Sequence, residues 1–235
     1  MPRKLLYMKT GIIRAYVILL SLTVVSSANA QYIKAGFNAA NISITNDGDV
    51  DKAKVLGSFH VGISGDIKLA PSVYFQPGIL FTGKGSKTQS GTPADANYYR
   101  ATSNPYYVEI PANLVFKTPG KNLRFFAGAG PYLAIGVAGK NKVEGKFLGV
   151  AFNSEENIQW SNDDPSTLGY EEGSGYGILK RFDYGLNAVA GLESSNMMVA
   201  AGYGFGLAKL QSGSNSSADD KNKHRVFSVS IGFKF

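Results

Sequence analysis

The chain has 235 residues, 28 glycines, 12% aromatic and 17% charged residues, and no cysteine. That length suits one barrel-sized domain once a targeting segment is removed, and the missing cysteines exclude a disulfide framework and a thiolate metal site. The formal charge is +7, but Arg3, Lys4, Lys9 and Arg14 lie in a first thirty residues that hold no acid, so the remainder carries +3; no segment interleaves Lys and Arg with aromatics as a nucleic-acid surface does.

Residues 1–30 join a basic start, the apolar run YVILLSLTVV at 16–25, and Ala28-Asn29-Ala30 ahead of Gln31. This is the pattern of a secretory signal peptide cleaved before Gln31, with 31–235 as the mature domain. A membrane anchor is the alternative, but about ten apolar residues cannot cross roughly 30 Å of hydrocarbon as a helix. Met8 serves as well as Met1 for a start, since Lys9 and Arg14 still supply a basic flank.

From Gln31 onward the period is two, the signature of strands with one oily and one wet face. Strand one (32–42) sets Ile33, Ala35, Phe37 and Ala39 against Lys34, Gly36 and Asn38. Strand two (58–68) sets Phe59, Val61, Ile63 and Ile67 against His60, Ser64, Asp66 and Lys68. Strand three (73–84) sets Val73, Phe75, Ile79 and Phe81 against Tyr74, Gln76, Thr82 and Lys84. Residues 85–105 read as a long polar loop. Strand four (106–117) sets Val108, Ile110, Leu114 and Phe116 against Glu109, Asn113 and Lys117. Strand five (123–137) sets Leu123, Phe125, Leu133, Ile135 and Val137 against Arg124, Gly128, Gly130 and Tyr132.

Residues 139–180 read as the longest irregular stretch, holding Trp160 and the acids Glu155, Glu156, Asp163, Asp164, Glu171 and Glu172. Strand six (182–193) sets Phe182, Tyr184, Leu186 and Leu192 against Asp183, Asn187 and Glu193. Strand seven (197–208) sets Val199, Tyr203, Phe205 and Leu207 against Ala200 and three glycines. A polar loop carrying His224 follows. The last ten residues, VFSVSIGFKF, place Phe227, Val229, Ile231, Phe233 and Phe235 on one parity and Ser228, Ser230, Gly232 and Lys234 on the other.

Eight such strands, each near the roughly nine to eleven residues that cross a bilayer when tilted, with connections alternating long and short, predict an all-β fold. It is an eight-stranded antiparallel up-and-down transmembrane barrel with short periplasmic turns and long extracellular loops. Period two alone also fits a soluble barrel with an apolar interior. The oily parity carries no charged residue, while the opposite parity is rich in glycine and charge, as a narrow lumen filled by side chains requires. Aromatics gather toward strand ends, as two interfacial girdles do. Pro77, Pro111 and Pro131 each remove a ladder hydrogen bond; Pro111 and Pro131 fall at similar heights on adjacent strands, so a shared bulge or gap is expected there.

Lys34-Ala35-Gly36-Phe37-Asn38, the 107–111 segment YVEIP, the 126–132 segment FAGAGPY and the closing Gly232-Phe233-Lys234-Phe235 resemble the PorT-like outer-membrane β-barrel family. The resemblance spans nearly all of the mature chain except its loops. It implies a barrel in the outer membrane of a Gram-negative bacterium and implies no reaction; the PorT proteins proper are tied to protein secretion. The aromatic ending likewise resembles the terminal strand by which such barrels are recognised and inserted.

No cofactor or metal is expected. His60 shares its face with Ser58, Ser64 and Asp66, which invites a Ser-His-Asp hydrolase reading, but residues two apart on a strand stand about 7 Å from each other, beyond direct hydrogen-bond reach. The stronger expectation is a pairing network in the lumen of Lys34, His60, Asp66, Lys68, Glu109, Asn113, Arg124, Asp183, Asn187, Glu193 and Lys234. Of these, Lys34, Asp66, Lys68, Arg124, Glu193 and Lys234 should lie toward the periplasmic end; an ion path is the sharper alternative. The loop acids could take calcium, though no D-x-D-x-D-G spacing occurs, and a solvated loop is the plainer reading. Trp160 reads as a loop anchor and His224 as exposed. The expected partners are outer-membrane lipid, the barrel-insertion machinery through the C-terminal strand, and an envelope or secretion protein through the loops. The leading reading is a non-enzymatic barrel with a structural or interaction role; a small-solute channel and a lipid-modifying enzyme are the alternatives.

Overall fold

The computed structural model describes residues 30–43, 45–46, 49–50, 55–120, 122–162, 177–211 and 222–235. The signal-peptide pattern lies outside the described residues except for Ala30, which begins the first strand opposite Asp66. Eight long strands form the wall: β1 Ala30–Ser43, β2 Leu56–Ala70, β3 Val73–Gly83, β4 Tyr98–Lys117, β5 Leu123–Phe147, β6 Phe182–Ser194, β7 Met197–Gly206 and β8 Lys223–Lys234. Each pairs antiparallel with its chain neighbour, and β8 pairs with β1 from Tyr32↔Lys234 to Ser43↔Lys223, so the sheet closes on itself. Closure pairs the backbone amides that hydrocarbon would otherwise leave unsatisfied. The seam is fastened at its end as well, where the Phe235 amide donates to Gln31 O at 3.0 Å; on the other side of β8 the Lys234 amide donates to Asn196 O at 2.9 Å.

Exposure decides which face meets lipid. Phe37, Phe116, Phe233 and Phe235 are 58, 53, 54 and 69% exposed, whereas Asn38, Asp66, Lys117 and Glu193 are 1, 2, 2 and 1% exposed. A water-soluble fold has the reverse polarity, because apolar area left in water costs about 25 cal/mol per Å². Phe227, Val229 and Ile231 stand outward with the terminal phenylalanines. Hydrocarbon is therefore the outer solvent. No described helix is long and apolar enough to cross a membrane; the strands do the crossing. The turns at 71–72 and 195–196 and the connection after Lys117 lie at one end of the barrel, the end that in outer-membrane barrels faces the periplasm. Phe59, Phe81 and Tyr106 form one piece of the outer girdle, with ring centroids 5.3–6.0 Å apart.

The prolines interrupt the ladders without shifting them. Between β4 and β5, pairing stops at Pro111↔Tyr132 and resumes in the same register at Leu114↔Ala129. Between β2 and β3 it stops at Ser64↔Gly78 and resumes at Ile67↔Phe75, skipping Pro77.

Two stretches expected as loops are strands. β4 begins at Tyr98 and β5 runs 25 residues to Phe147, so residues 86–90, 98–105, 139–147 and 150–157 build a sheet beyond the membrane, while 91–97 remain irregular. The strands Ser86–Ser90 and Val150–Asn157 flank it, on β4 and β5 respectively. A bulge places Tyr106 opposite Ala138 and Tyr107 opposite Gly136, inserting Val137 as the extra residue on β5. The phase of β5 flips there, which is why alternation counted from the membrane fails above it. His224, expected in an exposed loop, is on β8 and 1% exposed, because β8 starts at Lys223.

Candidate functional site

The inward side chains sort into tiers. At the periplasmic end Lys117, from the last position of β4, forms ion pairs with Asp66 of β2 and Glu193 of β6, and Arg124 of β5 pairs with Glu193 from the rim. Gln76 Nε2 donates to Asp66 Oδ1 at 2.9 Å and Tyr32 Oη to Asp66 Oδ2 at 3.3 Å. Tyr32, Val115, Phe126, Met198 and Ala200 form an apolar cluster beside it, with the Lys117 ammonium 5.5 and 5.8 Å from the Tyr32 and Phe126 ring centroids. Desolvating those charges is costly, so the cluster holds only because each carboxylate meets a cation and further donors.

Nearer the outside, Lys84 Nζ lies 2.8 Å from Glu109 Oε2 and 2.8 Å from Asp183 Oδ2. Its ammonium also stands 4.0 Å from the Tyr132 ring centroid, within cation–π range. Tyr132 Oη donates to Asp183 Oδ2 at 3.1 Å, and Asn187 Nδ2 to Glu109 Oε1 at 2.9 Å.

Between the two lysines lies a chamber of about 80 Å³ lined by Lys34, Asn113 and His60 among others. His60 Nδ1 is 2.7 Å from Asn38 Oδ1, and His60 Nε2 is 2.8 Å from Ser230 Oγ. Asn38 uses its amide nitrogen on Thr82 Oγ1 and Gly83 O, both at 2.9 Å, so its oxygen faces His60. In a neutral ring this arrangement puts the proton on Nδ1, with the Ser230 hydroxyl donating to Nε2. Gly36 makes room for the imidazole, since a Cβ there would stand 2.5 Å from its Cε1.

Above Lys84 the described residues form an apolar cluster across the barrel. Ile42, Ile158, Leu179 and Leu210 cluster, with Trp160 against them. Trp160 meets Tyr107 edge-on at 5.7 Å. Its ring occupies the space over Gly136, where a Cβ would approach within 2.3 Å. Tyr107 Oη in turn lies 3.2 Å from His224 Nε2.

The expected network is thus two clusters and a chamber. Asp66, Arg124 and Glu193 come together, as do Glu109, Asp183 and Asn187. Lys34, expected at the periplasmic end, lines the central chamber instead. Lys68 is exposed and Lys234 half-buried, so these rim residues are not part of the buried clusters. The hydrolase constellation does not assemble, because Asp66 belongs to Lys117 while His60 faces Asn38 and Ser230. The lysines at both centres, Lys84 and Lys117, were legible only as inward positions at strand ends. Glu155 is paired with Lys140 and lies on a strand. Among the described residues no group of three or more His, Cys, Asp or Glu could hold a metal ion.

A closed, lipid-facing sheet around a polar, ion-paired interior defines a transmembrane β-barrel of the outer membrane. The chain belongs to the outer membrane protein beta-barrel domain family, whose profile matches residues 30–212. Its address is the outer membrane of a Gram-negative bacterium. No curated protein matches. Similar solved structures include Ail, the attachment invasion locus protein of Yersinia pestis, at 15% identity and a TM-score of 0.39, covering 88% of this chain and 98% of that one. Neisserial surface protein A is similar at 14% identity and 0.39, covering 87% and 97%. The N-terminal barrel domain of Pseudomonas aeruginosa OprF follows at 11% identity and 0.29, covering 87% and 97%.

Proposed function

We propose that this barrel is a non-enzymatic membrane anchor whose extracellular sheet does the recognising, in a structural or interaction role accessory to secretion or surface assembly. The observation that carries this reading is the filling of the lumen among the described residues: Lys117 at one end, Lys84 toward the other and the Trp160 cluster above, with a small chamber around His60 between. The secretion element rests on the PorT-like sequence motifs alone. In a planar bilayer the purified barrel should show no steady conductance steps above background, and Trp160→Gly should leave it silent because both ionic clusters remain. Regular steps from the unaltered protein would favour the second reading, a small-solute channel, which the chamber supports. The enzyme reading lacks a carboxylate partner for His60.

The same reading has residues 1–30 removed as a signal and the outward aromatics of 226–235 presented to the barrel-insertion machinery. Deleting Phe235 should then lower the folded, heat-modifiable fraction in outer membranes several-fold while synthesis is unchanged. Equal folded fractions would count against that partner.

A further inference from the structure

Beyond the girdle, among the described residues, the sheet is no longer closed. Val150–Asn157 pairs on one side with residues 140–147 and ends the sheet on the other, and its 8 residues are all exposed. The direction of its free groups follows from register. The Ile158 amide donates to Gly139 O at 3.0 Å, so residues of that parity on this strand bond toward β5. In an antiparallel ladder the alternate residues point the other way, and the amides and carbonyls of Ala151, Asn153, Glu155 and Asn157 therefore face the open side. Among the described residues no strand covers them.

The far end of this edge is apolar in a place lipid cannot reach. Leu148 and Val150 are 74 and 72% exposed, and with Phe147 and Phe152 they crown the hairpin about 30 Å above Tyr106 and Ala138 by the rise of a strand. Tyr98, Tyr99, Phe147 and Phe152 border a cleft there of about 250 Å³. Near the membrane Glu155 pairs with Lys140 on one face of this edge, while Glu156 is exposed on the other, the face it shares with Val150 and Phe152. Exposed apolar surface of this kind marks an interaction site, and an unpaired strand edge is a template for another strand.

We propose that Val150–Asn157 docks an extended segment of another protein, added as a further strand, with apolar side chains over Val150 and Phe152 and a Lys or Arg on the same face beside Glu156. This rests on the interaction reading above and names the chemistry of its partner. A second copy of the chain fits badly. Two barrels in one membrane present this edge running the same way, so parallel pairing sets Glu155 and Glu156 beside their own counterparts. Like charges side by side on neighbouring strands are destabilising.

The test uses the full-length barrel in uncharged detergent and two fluorescent strand-forming peptides that carry Val on one face, one ending that face in Lys and the other in Glu. The basic peptide should bind at least tenfold more tightly than the acidic one. Asn153→Pro removes an amide facing the open side and no bond of the sheet itself, so it should weaken that binding at least tenfold while leaving the barrel heat-modifiable. Glu156→Lys should reverse the preference. Equal binding of the two peptides, or unchanged binding to Asn153→Pro, would overturn the proposal, as would a dimer in sedimentation that Asn153→Pro dissolves. Those results leave the lumen silent in a planar bilayer, whereas failure of the underlying reading shows there as conductance.

Discussion

The β4–β5 hairpin crosses two solvents, and its ion pairs differ accordingly. Below the bulge at Val137, Lys117 and Glu193 meet with side chains 2 and 1% exposed. Above it, Lys140 and Glu155 meet with side chains 64 and 47% exposed. The outward residues change too, from Ile110, Leu114 and Leu133 in the membrane zone to Lys140 and Lys142 beyond it. The same backbone ladder runs through both zones, so the hydrogen-bonded sheet does not set polarity; the surrounding medium does. In the lower zone a charge is retained only when its partners enclose it. In the upper zone water solvates each member, and a pair adds little.

The contrast is broken most directly at Lys117. Lys117→Met leaves Asp66 without its cation and Glu193 with Arg124 alone, and should lower folding free energy by about 3–5 kcal/mol, read as a shift in urea unfolding in micelles. Adding Asp66→Asn and Glu193→Gln should recover most of the loss. A single variant as stable as the parent would mean that the cluster carries no stability. The lipid face is probed by Val229→Arg, which places a guanidinium near mid-membrane and should cost about 2–4 kcal/mol in vesicle folding titrations. An unaffected barrel would put hydrocarbon elsewhere.

The smallest effect belongs to the outer sheet. A hydrogen bond from Lys142 holds the Glu144 carboxyl below the usual carboxylate range, with further help from Arg100. A depressed carboxylate stabilises fully above the ordinary value of about 4.3 and loses its contribution as pH falls through the folded value. NMR titration of the barrel in micelles should show the 140–147 hairpin loosening only on the acid side of that point. The shift should shrink in high salt, since the pair is partly exposed. Loosening on the alkaline side would reverse the assigned sign.

How much of this was legible in the sequence follows the same boundary. Within the membrane, lipid outside and charge inside impose strict alternation, so the phase of all eight strands and the inward positions of Asp66, Glu109, Asp183 and Glu193 could be read directly. Beyond it both faces are wet. Residues 139–157 then look like loop, although they pair as strands, and the bulge hides the phase. Partner choice was not legible at all. Whether Lys117 meets Asp66 or Glu109 depends on stagger around the cylinder, which no single strand encodes. His224 was misplaced because the polar run before it masks the start of β8.

The seam between β1 and β8 joins the first strand to the last, with Phe235 bonded back to Gln31. Completion of the cylinder must therefore await the arrival of the final segment, however early the intervening hairpins form. Any product stopped before Val226 would keep two raw margins, on Ala30–Ser43 and on Met197–Gly206, inviting pairing with other chains. Assembly of this protein is in that sense a latch thrown last, and premature termination should yield aggregates rather than smaller barrels.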